Sequence, residues 1–389
     1  MLRKGLPEGV QDFLPQECRL KRQLEDALRK EFFKNGFSEV ETPTFEYYDV
    51  FASGSSAYPQ EEMMKLFDLK GRIMVLRPDV TVPITRMIAS NYQAAQPLRF
   101  FYIQNAYGVG NVSIDQRSEF TQAGVELVGK AGSGADAQTA ALAIKSLLVA
   151  GLSDFKLDMG QVGFFKGLLA ECGISEEGRE AEELRGLIDS KNTVELEYRL
   201  ARMQAPEDWK KKILQLPDLF GGREVIAKAR ELSSEPQCLA ALDNLEEVYV
   251  LLCRFGYEQY LSLDLGMLHK FNYYSGLVFR GIAHEIGSPL LSGGRYDGLN
   301  GEFGIDRPAV GFALGIKRVL IALERQKGIA EEEKPYTVVC APAAQAGAAY
   351  ACAEALRAAG RTVIFAIDPS AEEAAAWKAD PAVEEIVEL

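Results

Sequence analysis

The sequence predicts an α+β fold: an antiparallel sheet flanked by helices, with a helical insertion and a small C-terminal α/β module. Three patterns along the 389 residues carry that expectation. Helix and strand periodicities are mixed up to about residue 150, without a regular βαβ alternation. From about 160 to 255 the chain turns helical and strongly charged, almost without strand signal. After residue 335 a strand–helix–strand run appears whose spacing suits a parallel βαβ unit.

Taken in order, the elements have local causes. Leu20, Leu24, Leu28 and Phe32 recur every fourth residue with charges between them, and Asn35-Gly36 supplies a left-handed stop, so a helix is expected there. A short strand from Phe37 to Glu41 ends at Pro43. Residues 72–77 read as a strand that leads through Arg77-Pro78-Asp79 into a helix from about Val80 to Ala89. Strands follow at Leu98–Tyr107 and Glu119–Val128, parted by the Gly/Asn/Ser/Asp stretch 108–115. Residues 135–150 form an Ala/Leu helix. Beyond the insertion, strands are expected at Tyr260–Leu265, Tyr273–Gly281, Leu290–Ser292 and Ala309–Leu314, the last running into a helix to about Arg325. Residues 328–334, with three glutamates in a row, read as a linker, which gives domains at 1–327 and 335–389.

Composition bounds the function. Lys and Arg number 43 against 56 Asp and Glu, and the resulting charge of −13 argues against a nucleic-acid partner, which needs a basic footprint. The six cysteines are scattered and none forms a C-x-x-C pair. With only His269 and His284 besides, no metal is expected, and no cofactor either. The start, Met1-Leu2-Arg3-Lys4-Gly5-Leu6-Pro7, lacks the apolar stretch of a signal peptide, and no run of ~18 apolar residues offers a membrane span. A soluble, cytoplasmic protein is the expectation.

Neither phosphate-loop fingerprint, G-x-x-x-x-G-K-[ST] or G-x-G-x-x-G, occurs. Gly293-Gly294-Arg295-Tyr296-Asp297-Gly298 reads two ways: Arg295 offers a planar fork to an anion, or the segment is a tight turn held by an Arg–Asp pair. Arg318, at a strand-to-helix junction, is either an anion or purine contact or a solvated side chain. Asp79 suits a helix N-cap or an acceptor for a ligand's ammonium group, with Thr81 beside it. Gln122 and Glu126, four apart on a strand, share one sheet face, which lines a pocket or meets solvent. Tyr273 and Tyr274 suit core packing or ligand contact. No Ser/His/Asp or Cys/His arrangement is evident, so no catalytic residue is assigned.

In this order, Pro7-Glu8-Gly9-Val10, Arg77-Pro78-Asp79-Val80-Thr81, Gln122-Ala123-Gly124-Val125-Glu126, Asn272-Tyr273-Tyr274-Ser275-Gly276, Gly293-Gly294-Arg295-Tyr296-Asp297-Gly298 and Pro308-Ala309-Val310-Gly311-Phe312-Ala313-Leu314-Gly315 resemble histidyl-tRNA synthetase. The resemblance spans about residues 5 to 325. It implies the class II aminoacyl-tRNA synthetase fold and a homodimer built around the first helix and the strand ending at Pro43. It also implies a histidine site, with Asp79, Thr81 and Gln122 around the ammonium group, Glu126 and Tyr274 around the imidazole, and Tyr273 among the binding residues. Arg295 and Arg318 are the candidates for residual anion or nucleotide binding.

The departures change the expected activity. Where the synthetases' second motif carries an Arg and, two residues on, a Glu that grip ATP, this chain has Gly108 and Gly110. Where their histidine motif opens with the carboxylate-activating Arg, it has His269, followed by Lys270. One preorganised cationic donor is worth ~3 kcal/mol of transition-state stabilisation, so losing two should silence adenylate formation. A retained pocket with dismantled chemistry is similar to the regulatory subunit family of ATP phosphoribosyltransferase. That similarity implies a non-catalytic subunit in a hetero-oligomer with a short-form catalytic subunit, needed for the first step of histidine biosynthesis and for feedback by histidine. The tail from 335 resembles a reduced anticodon-binding domain, which, with the charge, argues against tRNA. The rival expectation is a working or altered-specificity histidyl-tRNA synthetase-like enzyme.

Overall fold

The computed structural model describes residues 5–52, 58–92, 96–109, 118–268, 273–328 and 335–389. The chain folds as two compact units that meet at Lys327 and Gly328. The expected linker, apart from Gly328, lies outside the described residues, as do Gly110, His269, Lys270 and Asn272.

The first helix runs Pro15–Lys34, with Pro15 at its start, where a missing N–H costs nothing. Asn35 closes it and Gly36, at φ +78°, turns the chain away. Leu24, Leu28 and Phe32 form its buried stripe against the large sheet. Beyond it, six strands run antiparallel in succession: Leu98–Tyr107, Glu119–Val128, Ala309–Gly315, Leu291–Arg295, Leu277–Ile282 and Lys156–Gln161. The sheet is nevertheless mixed. Ser38–Glu39 joins one edge in parallel, Leu261–Asp264 joins the other in parallel, and Phe220–Gly221 ends that side.

The two sheet faces separate by residue parity. Ala123, Val125 and Leu127 of one strand point into the main core, with the helices Pro15–Lys34 and Ser133–Ala150. Phe100, Tyr102 and Val128 point the other way, into a second cluster with Val80, Val82, Ile84, Tyr273, Tyr274 and Tyr296. The helix Thr81–Asn91 belongs to that second cluster. A separate three-stranded antiparallel sheet, Phe45–Tyr47, Lys65–Phe67 and Ile73–Leu76, adjoins it in sequence.

The helical insertion belongs to the first unit: Leu184, Ile188, Leu200, Trp209, Ile213, Val225 and Leu242 share the main core, and Phe220–Gly221 extends the sheet. One expectation is corrected here. Gly293-Gly294 is no tight turn but the middle of a strand. A Cβ at Gly294 would lie 2.6 Å from the Leu277 carbonyl and 2.9 Å from the Tyr274 ring, so close approach across the sheet explains the glycine.

The second unit is a parallel sheet in the order Val363–Ile367, Tyr336–Ala341, Val383–Glu388. The helix Ala346–Ala358 covers it with Ala349 and Ala353, which pack on Val339 and Ala341.

Candidate functional site

On the second face of the sheet a cleft of about 840 Å³ opens, and Asp79, Thr81, Gln122, Glu126, Tyr273, Tyr274 and Arg318 all line it. Its floor follows from strand register. Glu126 faces Gly311, which faces Gly294, so two side-chain-free positions lie beside the carboxylate. A Cβ at Gly311 would fall 1.9 Å from Glu126 Oε2; the glycine makes the room that this acid occupies.

Glu126 is 1% exposed. Thr81 Oγ1 donates to its Oε1 at 2.8 Å, and the Tyr296 hydroxyl donates to Oε2. Burial pushes its carboxyl up to about 8, against the lowering effect of those two hydroxyls, and the neighbouring Asp79 adds to the rise. Asp79 stands at the start of the helix Thr81–Asn91 and lines the cleft. Oδ1 accepts from the Val82 N–H at 3.1 Å and caps the helix, while Oδ2 accepts from Tyr58 OH at 3.1 Å and faces the cleft. Burial lifts its carboxyl to about 6. At neutral pH Asp79 is therefore mostly ionised and Glu126 mostly protonated, two acids set apart by their surroundings.

Phenols enclose the acids. Tyr273 and Tyr274 lie 4.8 Å apart, centroid to centroid, and Tyr296 meets Tyr273 edge-on at 6.2 Å. Burial raises the phenols of Tyr58, Tyr102, Tyr273, Tyr274 and Tyr296, which keeps all five protonated donors. Among the described residues five buried side-chain polar atoms lack a hydrogen-bond partner, and three of them, Gln11 Nε2, Tyr102 OH and Gln122 Oε1, belong to residues of this cleft. Such atoms are expensive inside a protein unless something bound there satisfies them. Gln122 Oε1 and the Tyr102 hydroxyl, beside Asp79, suit N–H donors of a small cationic ligand, whereas Gln11 Nε2 is a donor and needs an acceptor.

The mouth of the cleft has the opposite charge. Lys21, Arg22, Lys317 and Arg318 line it with Gln11 and Phe13. Lys21 and Lys317 lie over the Phe13 ring at 5.7 and 5.9 Å, and Glu25 is the shared acid partner of Lys21 and Arg22. Gly108 lines the cleft too.

Arg295 is corrected. It does not line the cleft; its fork holds Asp136 at 2.6 Å and Asp297 at 2.9 Å and reaches the Lys130 carbonyl. An anion would have to displace buried partners, so the Arg–Asp pair is the better reading. Arg99 does not line the cleft either; it contacts Gln138 and stacks on Phe37. Tyr58, Tyr102 and Tyr296 were not foreseen as site residues. Tyr296 had a signal, since it stands in the Gly293–Gly298 motif; Tyr102 shares a sheet face with its register partner's neighbours Gln122 and Glu126.

Comparison with known proteins gives the lineage. The sequence profile of the histidyl-tRNA synthetase family matches residues 9–319. A protein of Acetivibrio thermocellus named ATP phosphoribosyltransferase regulatory subunit is 45% identical over 358 residues, 92% of this chain and 85% of that protein. Its namesake in Ruminiclostridium cellulolyticum is 42% identical, covering 90% and 84%. Among solved structures, an ATP phosphoribosyltransferase regulatory subunit/histidyl-tRNA synthetase from Bacillus halodurans superposes with a TM-score of 0.88 at 31% identity, over 100% of this chain and 98% of that one. A histidyl-tRNA synthetase from Nostoc, 23% identical, has a TM-score of 0.81 over 98% and 90% and so shares the class II synthetase fold. No helix among the described residues is long and apolar enough to cross a membrane. The chain belongs to the histidyl-tRNA synthetase family, as a member of its ATP phosphoribosyltransferase regulatory subunit branch.

Proposed function

We propose that this chain is a non-catalytic subunit that assembles with a short-form catalytic subunit of ATP phosphoribosyltransferase, serves the first step of histidine biosynthesis and carries histidine feedback. The observation that supports this best is the cleft itself: an acidic, phenol-lined base with orphaned acceptors, beside Gly108 where an ATP-gripping arginine would stand. In this reading Asp79, Thr81 and Gln122 take the ammonium group, Glu126 and Tyr274 read the imidazole, and Tyr273 completes the binding site. Histidine inhibits by binding an inactive assembly more tightly than an active one, typically with about 1–3 kcal/mol of coupling. The core forms a homodimer through the helix Pro15–Lys34 and the strand before Pro43. Residues 335–389 are a reduced relative of an anticodon-binding domain and take no tRNA.

The test is phosphoribosyl-ATP formation by a short catalytic subunit with and without this chain, and with and without histidine. Stimulation by the chain and inhibition by histidine are expected; no stimulation would refute the assignment. Calorimetric titration of histidine should show binding to the wild type and loss of it in a Glu126→Ala, Tyr274→Phe double variant. Arg318, which lines the cleft mouth, favours one further reading, residual nucleotide binding in a synthetase-like enzyme. That reading requires histidine-dependent exchange of pyrophosphate into ATP, which we expect to be absent.

A further inference from the structure

Histidine carries a third polar group besides its ammonium and imidazole. Asp79 and Glu126, acids themselves, are poor partners for its carboxylate, which needs donors or cations. Carboxylate and ammonium share one carbon, so the carboxylate's partners must adjoin Gln122, at the end of the cleft away from Glu126.

Strand register fixes what lies at that end. Glu126 faces Gly311, whereas Gln122 faces Gly315, the last residue of the strand Ala309–Gly315. The helix Ile316–Lys327 begins at once, which brings Lys317 and Arg318 to the Gln122 end, and a Cβ at Gly315 would lie 3.4 Å from Arg318 Cδ. The segment before the first helix meets them there. The Lys317 ammonium group donates to Gln11 Oε1, and this contact orients the amide, with its oxygen toward the lysine and its nitrogen away. Gln11 Nε2 is buried without a partner, in a residue that lines the cleft. Lys317 and Lys21 both lie over the Phe13 ring. Lys21 is only 9% exposed, and it shares the carboxylate of Glu25 with Arg22. A buried donor without an acceptor, set among Lys21, Arg22 and Lys317, calls for an anionic oxygen.

We propose that Gln11 Nε2, with Lys317 and Lys21, forms an anion site at the cleft mouth that takes the carboxylate of the bound amino acid. This rests on the reading of the cleft as a histidine site. Two amides then bracket the ligand's α-carbon: Gln122 Oε1 accepts from the ammonium group, and Gln11 Nε2 donates to the carboxylate. The site distinguishes histidine from relatives that have lost or reduced that carboxylate. The same donors suit a phosphate, a second source of anionic oxygen that the experiment separates.

Calorimetry on the full chain compares histidine with histidinol, which carries a hydroxymethyl group in place of the carboxylate. The wild type should prefer histidine by about tenfold or more. Gln11→Ala should weaken histidine about tenfold and histidinol less than twofold. Gln11→Glu has the same shape and keeps an oxygen for Lys317, but it brings negative charge to the site and should cost histidine more than Gln11→Ala does. Lys317→Met should lower the preference too. Lys166→Ala, whose lysine pairs with Glu176 and does not line the cleft, should leave it unchanged. Equal affinity of the wild type for the two ligands would overturn the carboxylate assignment. So would a Gln11→Ala variant that binds histidine within twofold of wild type or loses both ligands equally. If the wild type binds neither ligand, the histidine reading fails, and thermal unfolding with pyrophosphate judges the anion site alone. Stabilisation that Gln11→Glu abolishes would support a site filled by phosphate; stabilisation that survives the substitution, or none at all, would overturn the site.

Discussion

The two faces of one sheet are built for opposite purposes. On the face that meets the helix Pro15–Lys34, Ala123, Val125, Leu127 and Phe312 are buried against Leu28 and Phe32. On the other face the same strands bury Glu126, aim Gln122 into a cleft and lay Tyr102 across Gly124 without a partner for its hydroxyl. The first face is optimised for stability; the second keeps acids at raised pKa values and orphaned polar atoms. Perturbed acids and unpartnered polar atoms gathered in one cleft are what support reading it as a ligand site.

The two arginines of the last motifs give the sharpest break of that contrast, and the largest effect. Arg295→Ala should cost about 3–5 kcal/mol, because it strands Asp136, a fully buried acid, without its cation. Arg318→Ala should cost under about 1 kcal/mol, since its guanidinium is half-buried at the mouth and donates to a backbone carbonyl. Denaturant unfolding of both variants checks this. Equal losses would mean that Arg295 does not hold the structural pair described here.

How much of this was legible in the sequence depended on the range of the interactions involved. Leu98–Tyr107 and Glu119–Val128 were readable because period-two patterning and a polar loop are local signals, and the structure has both strands at those bounds. Asp79 and Glu126 were readable as candidates from strand and helix geometry, and their shared cleft from family likeness. Gly293-Gly294 misled because a glycine pair locally means a turn; its cause is the close approach of the Gly311 backbone and the Tyr274 ring, which only strand pairing brings together. Arg295 was undecidable until the helix Ser133–Ala150 supplied Asp136 from 159 residues away. The packing of the insertion was not legible, because its charged exposed faces dominate the composition while the few buried positions that join it to the core, such as Leu196 and Leu200, find their partners only in the fold.

A second contrast concerns pH. Both cleft acids have folded-state values above their ordinary ones, about 6 for Asp79 and about 8 for Glu126. The folded protein therefore holds more protons than the unfolded chain between about pH 4 and pH 8, and without ligand its stability falls as pH rises through that window. Glu126→Gln removes the larger share of the fall. Near pH 8 it should be more stable than wild type by roughly 1–3 kcal/mol, with the difference shrinking toward pH 4, while histidine affinity drops. Thermal unfolding across pH, with and without histidine, decides it. A variant whose stability kept the wild-type pH dependence would show that Glu126 does not titrate in this window.

The smallest expected effect isolates a single hydroxyl. Thr81→Val keeps the shape of the side chain at the start of the helix Thr81–Asn91 but removes the donor to Glu126 Oε1. The Tyr296 hydroxyl still serves Oε2, so the carboxylate loses one of two stabilising bonds and its pKa rises further. The pH at which ligand-free stability levels off should then move upward, with about 1 kcal/mol lost where Glu126 is ionised and little change where it is protonated. Repeating the pH series on this variant, and on Thr81→Val combined with Glu126→Gln, tests the assignment. With the acid already neutral, the missing hydroxyl should no longer shift the profile; a shift that persisted would place the role of Thr81 in the helix rather than in the cleft.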